Sequence, residues 1–159
     1  MAQLYDETSI KSKLQQAVAS GQTFTYYCLT FTDSSNLRGS DRSLVNESLL
    51  VNVANFMVAL WGTKVFVAKT SKDRLEVILP GLNKEGAITT AGEFREKLEE
   101  QFCQKAPGLG VAIGLATHPT DSDEKHQVRE LAVLGADEAT KLGQNRIFAA
   151  YSAAERAAG

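Results

Sequence analysis

In the run "VAKTSKDRLEVILPG", residues 67–81, Asp73 and Arg74 follow Ser71 and Lys72 between two apolar stretches. An acid and a guanidinium side by side at the end of a rigid hairpin have two chemical uses. The carboxylate can hold a divalent cation, and the arginine can hold a phosphate through paired N–H donors. The plainer reading is a solvated tip with a weak surface ion pair between the two, and it carries more weight than a metal or phosphate site. Glu47 reads as a solvated acid on a helix face, and Arg38 as an exposed loop cation whose functional use would be a phosphate or a partner's carboxylate. His118, ahead of Pro119, and His126 lack Cys or acid ligands at metal spacing, so they read as loop and surface residues. Ser34 and Ser35 have neither the glycine elbow nor the histidine partner of a nucleophile and read as turn chemistry. "GLGVAIG" at 108–114 is strand-like and fails the strand-turn-helix context of a phosphate loop.

Composition narrows the field. A chain of 159 residues is long enough for one domain with a substantial core and no need of disulfide or metal staples. A net charge of −2 supplies no basic field for nucleic acid or acidic lipid, and no five like charges run together. Cys28 and Cys103 sit in apolar segments without metal-site spacing and are expected to be buried thiols. No leader and no membrane-length apolar stretch is read, so a soluble cytoplasmic protein is expected.

The elements that must position these residues follow from period and punctuation. Ile10, Leu14, Ala17 and Val18 recur at helical spacing between a Ser9 cap and Gly21. The aromatic, β-branched run 23–32 predicts a central strand, and 33–41 is loop chemistry. A second helix is predicted over 41–60 on an apolar stripe from Leu44 to Leu60, with Trp61 as its packed end and Gly62 as its stop. The hairpin follows and closes at Pro80-Gly81. A third helix spans 85–102 with Ile88, Ala91, Phe94, Leu98 and Phe102 inward, and 108–118 is a strand. After Pro119 a fourth helix sets Val128, Leu131, Leu134, Gly135, Ala139 and Leu142 near one face and stops at Gly143; 145–151 is the last strand. The order α-β-α-β-β-α-β-α-β predicts a single α+β domain over 1–151, with 152–159 as a tail. Two crossovers sharing a hairpin make a split βαβ sheet with antiparallel pairs and helices packed over it.

With the elements in place, the chain resembles the GGDEF domain family, whose active members join two GTP molecules into cyclic di-GMP. "SKDRLEVILPG" matches, without a gap, the family's GGDEF or GGEEF turn and the strand after it that ends in LLPG. "GVAIGLATHPTDSD" resembles the family's glycine-bearing strand that runs into a tyrosine-or-histidine-proline loop. "LGQNRI" at 142–147 is similar to its closing glycine-arginine-asparagine segment, and "DETSIKSKLQQAVASG" fits the opening helix. The resemblance covers nearly the whole chain and implies a ferredoxin-like, nucleotidyl-cyclase-like fold.

It also implies which positions would carry the chemistry. The family's first strand ends in D-x-D-x-F-K, whose leading aspartate joins a hairpin acid in holding the metals that activate GTP. Anchored on "LLVNVANFM", the match puts Thr30 and Thr32 at the two aspartate positions. Two neutral hydroxyls poorly offset the charge of a triphosphate-bound metal pair. Asp33 would replace them only through a bulge, since strand neighbours point to opposite faces. Ser71 and Lys72 stand where the two turn glycines would be, Asp73 matches the metal-binding acid, and Arg74 replaces the next glutamate. Arg38 and Glu47 fall on the guanine-reading asparagine and aspartate, Thr140 and Gln144 on the phosphate-binding lysine and arginine, and Gly62 and Val65 on the RxxD product-inhibition motif. Lys141 is one helix step from the lost lysine, about 100° away.

The expectation is a catalytically inactive, degenerate GGDEF-like signalling or regulatory protein that acts by protein-protein contact. The alternative is a non-catalytic GTP or nucleotide sensor built on Arg38, Glu47, Asp73 and Arg74 as a vestigial site; an active diguanylate cyclase using Asp33 and Asp73 ranks third. No metal or cofactor is expected, beyond weak binding of GTP or magnesium. The expected partner is a signalling protein, with a homodimer left open and neither nucleic acid nor membrane involved.

Overall fold

The computed structural model describes residues 4–33, 44–143 and the backbone of 146–149. The chain runs α1 (Glu7–Ala19), β1 (Phe24–Asp33), α2 (Glu47–Trp61), β2 (Phe66–Ser71), β3 (Arg74–Pro80), α3 (Lys84–Leu98), a π-helical turn (Glu99–Cys103), β4 (Leu109–His118), α4 (Lys125–Leu142) and β5 (Arg146–Ala149). Five strands form one sheet in the order β2-β3-β1-β4-β5. β1 is antiparallel to both β3 and β4, β2 is antiparallel to β3, and β5 runs parallel to β4. The crossovers β1-α2-β2 and β3-α3-β4 therefore each straddle a strand of the other, which is the split βαβ arrangement expected from the sequence.

Strand alternation divides the core in two. Tyr27, Leu29 and Phe31 of β1 pack with Leu50, Val53 and Met57 of α2 and Phe94 of α3. Phe24, Tyr26 and Cys28 point the other way, into Ile10 and Leu14 of α1 and Leu131 and Ala132 of α4. Large side chains on both faces of β1 make sense in a central strand. Trp61 closes the first core, its ring centroid 4.6 Å from Phe94 and 5.9 Å from Tyr27.

Several details depart from the sequence reading. The α1 cap is Asp6, whose Oδ1 accepts from Ser9 N–H at 2.8 Å, so Ser9 is capped rather than capping. α2 starts at Glu47 and not at 41, because Asn46 Oδ1 takes the Leu49 N–H at 2.9 Å. On α3 the inward face is Ala87, Ala91, Phe94 and Leu98, which leaves Ile88 39% exposed. Tyr27 O–H fixes that phase by donating to the Ala87 carbonyl at 2.9 Å. On α4, Leu134 and Leu142 are 52% and 63% exposed, not inward. Small residues face the sheet instead, because the helix lies so close to β4 that a Cβ on Gly114 would sit 2.0 Å from the Ala132 carbonyl oxygen.

His118 is not a loop residue: it is buried at the end of β4, stacked on Phe24 at 4.9 Å, with Nδ1 2.7 Å from the Gln22 carbonyl oxygen. Cys28 is a buried thiol, pushed up to about 12 first by desolvation, whereas Cys103 is only half-buried. Ser34, Ser35, Arg38, Gln144 and the 152–159 tail, with the domain end at 151, lie outside the described residues.

Candidate functional site

The geometry of the hairpin tip starts with its backbone. Lys72 and Asp73 form the turn, and Ser71 pairs with Arg74 across it. Phe31 N–H donates to the Asp73 carbonyl at 2.8 Å, pinning the tip to the far end of β1. That register sets Thr30 directly opposite Arg74. Three residues singled out in the sequence, Thr30, Asp73 and Arg74, are thus brought together.

The pairing of their side chains differs from the expectation. Arg74 does not turn to Asp73. Its Nε donates to Thr30 Oγ1 at 3.3 Å, and one terminal nitrogen donates to Asp137 Oδ1 on α4 at 3.0 Å. Asp73 is held within its own turn, where its Oδ1 accepts from the Ser71 hydroxyl at 2.7 Å. Even-numbered residues of β1 and β3 face α4, so a long side chain at 74 can reach the helix while one at 73 cannot.

The other positions are scattered. Thr32 Oγ1 is buried without a hydrogen-bond partner, beside a void of about 20 Å³ lined by Thr32, Val111, Ala112, Thr140 and Gly143. That space fits a water and no phosphate chain. Thr140 spends its hydroxyl on the Ala136 carbonyl at 2.8 Å, and Lys141 reaches Glu138 at 3.4 Å. Asp33 lies on the opposite sheet face from Thr30, and its Oδ2 accepts from Leu44 N–H at 2.9 Å, so the strand runs regularly and no bulge brings this acid round. Glu47 lines a separate groove of about 420 Å³ with Tyr5, Asp6 and Lys69. Gly62 is the α2 C-cap at φ +84°, and Val65 is core.

One charged cluster escaped the sequence reading altogether. Glu76, two residues beyond Arg74, is fully buried. It accepts from Tyr26 O–H at 2.6 Å and from Arg129 Nε and a terminal nitrogen at 2.6 and 3.1 Å; Arg129 also reaches Glu7 at 3.1 Å. Burial alone would raise the Glu76 carboxyl, but the hydrogen bonds from Arg129 and Tyr26 and the guanidinium charge outweigh it, so its pKa lies below the ordinary glutamate value. The same bonds push Arg129 up. A carboxylate inside the apolar run "LEVIL" was the available signal, since such a charge requires a buried partner.

No protein-family description matches the chain, and no curated protein sequence does. Solved structures do match. The GGDEF domain of YfiN (TpbB) from Pseudomonas aeruginosa superposes with a TM-score of 0.77 at 15% identity, over 95% of this chain and 99% of that one. The GGDEF domain of DgcB from Caulobacter crescentus, solved with c-di-GMP, gives 0.72 at 20% identity over 94% and 90%. The active GGEEF domain of a diguanylate cyclase from Vibrio cholerae gives 0.76 at 14% identity over 95% and 100%.

The chain has the fold of a GGDEF domain. Identities this low leave the GGDEF framework as what is shared, and the side chains at the tip must be judged on their own chemistry. Among the described residues, no three His, Cys, Asp or Glu side chains gather where they could hold a metal ion, and no helix is long and apolar enough to cross a membrane. At the end of β1 the GGDEF fold here presents a hydroxyl that already accepts from a guanidinium.

Proposed function

We propose that this is a GGDEF-fold regulatory protein that makes no cyclic di-GMP and acts by contact with a signalling protein in the cytoplasm. The observation that carries the reading is the position of Arg74, with Nε on Thr30 and a terminal nitrogen on Asp137. By resemblance, Thr30 stands where active members have the leading metal aspartate, and Arg74 where they have a glutamate. Magnesium takes anionic oxygens at close range and dehydrates reluctantly, so a hydroxyl beside a fixed positive charge does not fit it. The remaining acid, Asp73, faces into its own turn. A fold that retains its framework while its cation site carries the wrong charge is suited to presenting surfaces rather than to phosphoryl transfer.

Calorimetric titration of the purified chain with GTP and magnesium tests this reading, and the expected result is no saturable heat up to millimolar ligand. A saturable isotherm would return the nucleotide-sensor reading. Affinity capture from native extract should retain a signalling protein, and repeated failure to retain any specific partner would sink the contact role.

A further inference from the structure

Resting on the reading above, we infer that the Arg74 guanidinium is the resident cation of the hairpin tip: it takes the electrostatic place of a metal ion and latches three elements together. Its two contacts belong to β1 and α4, and its own backbone to β3. The hairpin tip is held independently of it by the Phe31–Asp73 backbone bond, so the guanidinium serves to join the tip to α4 and is not needed to form the turn. The Arg74 side chain is 24% exposed and Asp137 50%, which leaves the pair partly in solvent and open to competition by small ions. Both charges act on the buried Cys28 thiol, Arg74 lowering and Asp137 raising its pKa, which places the pair over the α4 side of β1 and not out in solvent.

The consequence is specific. Installing a carboxylate at 30 in the presence of Arg74 creates an ion pair rather than a metal ligand, because the positive charge already there repels a divalent cation and satisfies the new acid. Removing Arg74 as well leaves the new acid on the side of Asp137, where the remaining guanidinium of that groove, Arg129, is already engaged by Glu76 and Glu7. Metal affinity then appears only in the combined variant.

The test uses manganese binding, read by calorimetry or electron spin resonance, and melting temperature with and without magnesium. The native chain should melt at the same temperature in both. Thr30→Asp should melt within about 2 °C of the native chain, without magnesium dependence, because position 30 is buried and the desolvation of the new carboxylate offsets its pairing with Arg74. Thr30→Asp combined with Arg74→Ala should melt lower and bind manganese about tenfold or more tighter than Thr30→Asp alone. Equal manganese affinity in the two variants overturns the inference. If Thr30→Asp fails to fold, Arg74→Ala, Asp137→Asn and their combination decide: each should lower the melting temperature, and the pair should cost no more than the larger single loss. Additive losses overturn the latch even in an inactive protein, whereas cyclic di-GMP made by the native chain overturns the functional reading and not the latch.

Discussion

Arg74 and Glu76 stand two apart on one strand and face the same helix, yet they meet opposite fates. Arg74 keeps its end within reach of water and pairs with a half-exposed acid. Glu76 is sealed in the sheet and depends on Arg129 for its charge. Arg129→Met would strand that carboxylate, and the expected loss is about 3 kcal/mol at neutral pH, measured by urea unfolding. The lowered pKa of Glu76 means that its contribution is complete above the ordinary value of 4.5 and is lost as pH falls through the lower native value. The deficit of Arg129→Met should therefore be largest at neutral and higher pH and shrink as pH falls through the stranded acid's own pKa, which burial without Arg129 raises above 4.5. A deficit constant with pH would show that packing of the Arg129 stem matters more than the charge. At this scale the sequence reveals which residues are odd but not whom they meet. Thr30 and Arg74 stand out by type; Asp137 and Arg129, 63 and 53 residues from their partners, look like ordinary surface charges of a helix until the sheet brings them over the strand.

Among the elements, the existence and order of helices and strands were legible, because hydrophobic period and glycine stops agree along the chain. Gly21, Gly62 and Gly143 do take positive φ where the helices end. The rotation of α4 was not legible. Hydrophobicity alone prefers Leu134 and Leu142 inward, but the contact distance to β4 prefers the smallest side chains, and distance prevails. Gly114 is the reason, since a Cβ there would lie 2.0 Å from Ala132 O and 2.2 Å from Ala136 N, backbone atoms that cannot swing aside. Gly114→Ala is therefore expected to cost about 3 kcal/mol or more, or to abolish soluble expression. A chemical denaturation midpoint close to that of the native chain would show that α4 can lift from the sheet without penalty. Leu134→Ser, on the outward side of the same helix, should change stability by less than about 0.5 kcal/mol and serves as its control.

For the molecule as a whole, the framework is what is shared with known GGDEF domains. The split sheet overlays solved GGDEF domains along nearly its full length, although no family description and no curated protein sequence matches the chain. Burial patterns and turns can be met by many sequences, so a fold persists at identities where individual ligands do not. The LPG end of β3, the glycine-bearing β4 and the opening helix carried that framework in the sequence. The candidate site was half legible: the sequence singled out Thr30 and Arg74, which the strand register sets opposite each other, whereas the turn of Arg74 toward α4 depended on a contact between distant segments. If, as proposed, this tip does not assemble the cations that cyclic di-GMP synthesis requires, chromatographic product analysis after prolonged incubation of the purified chain with GTP and magnesium or manganese should find unchanged GTP and no cyclic di-GMP. Cyclic di-GMP that forms with the native chain and disappears in Asp73→Ala would show instead that the tip is a working cation site.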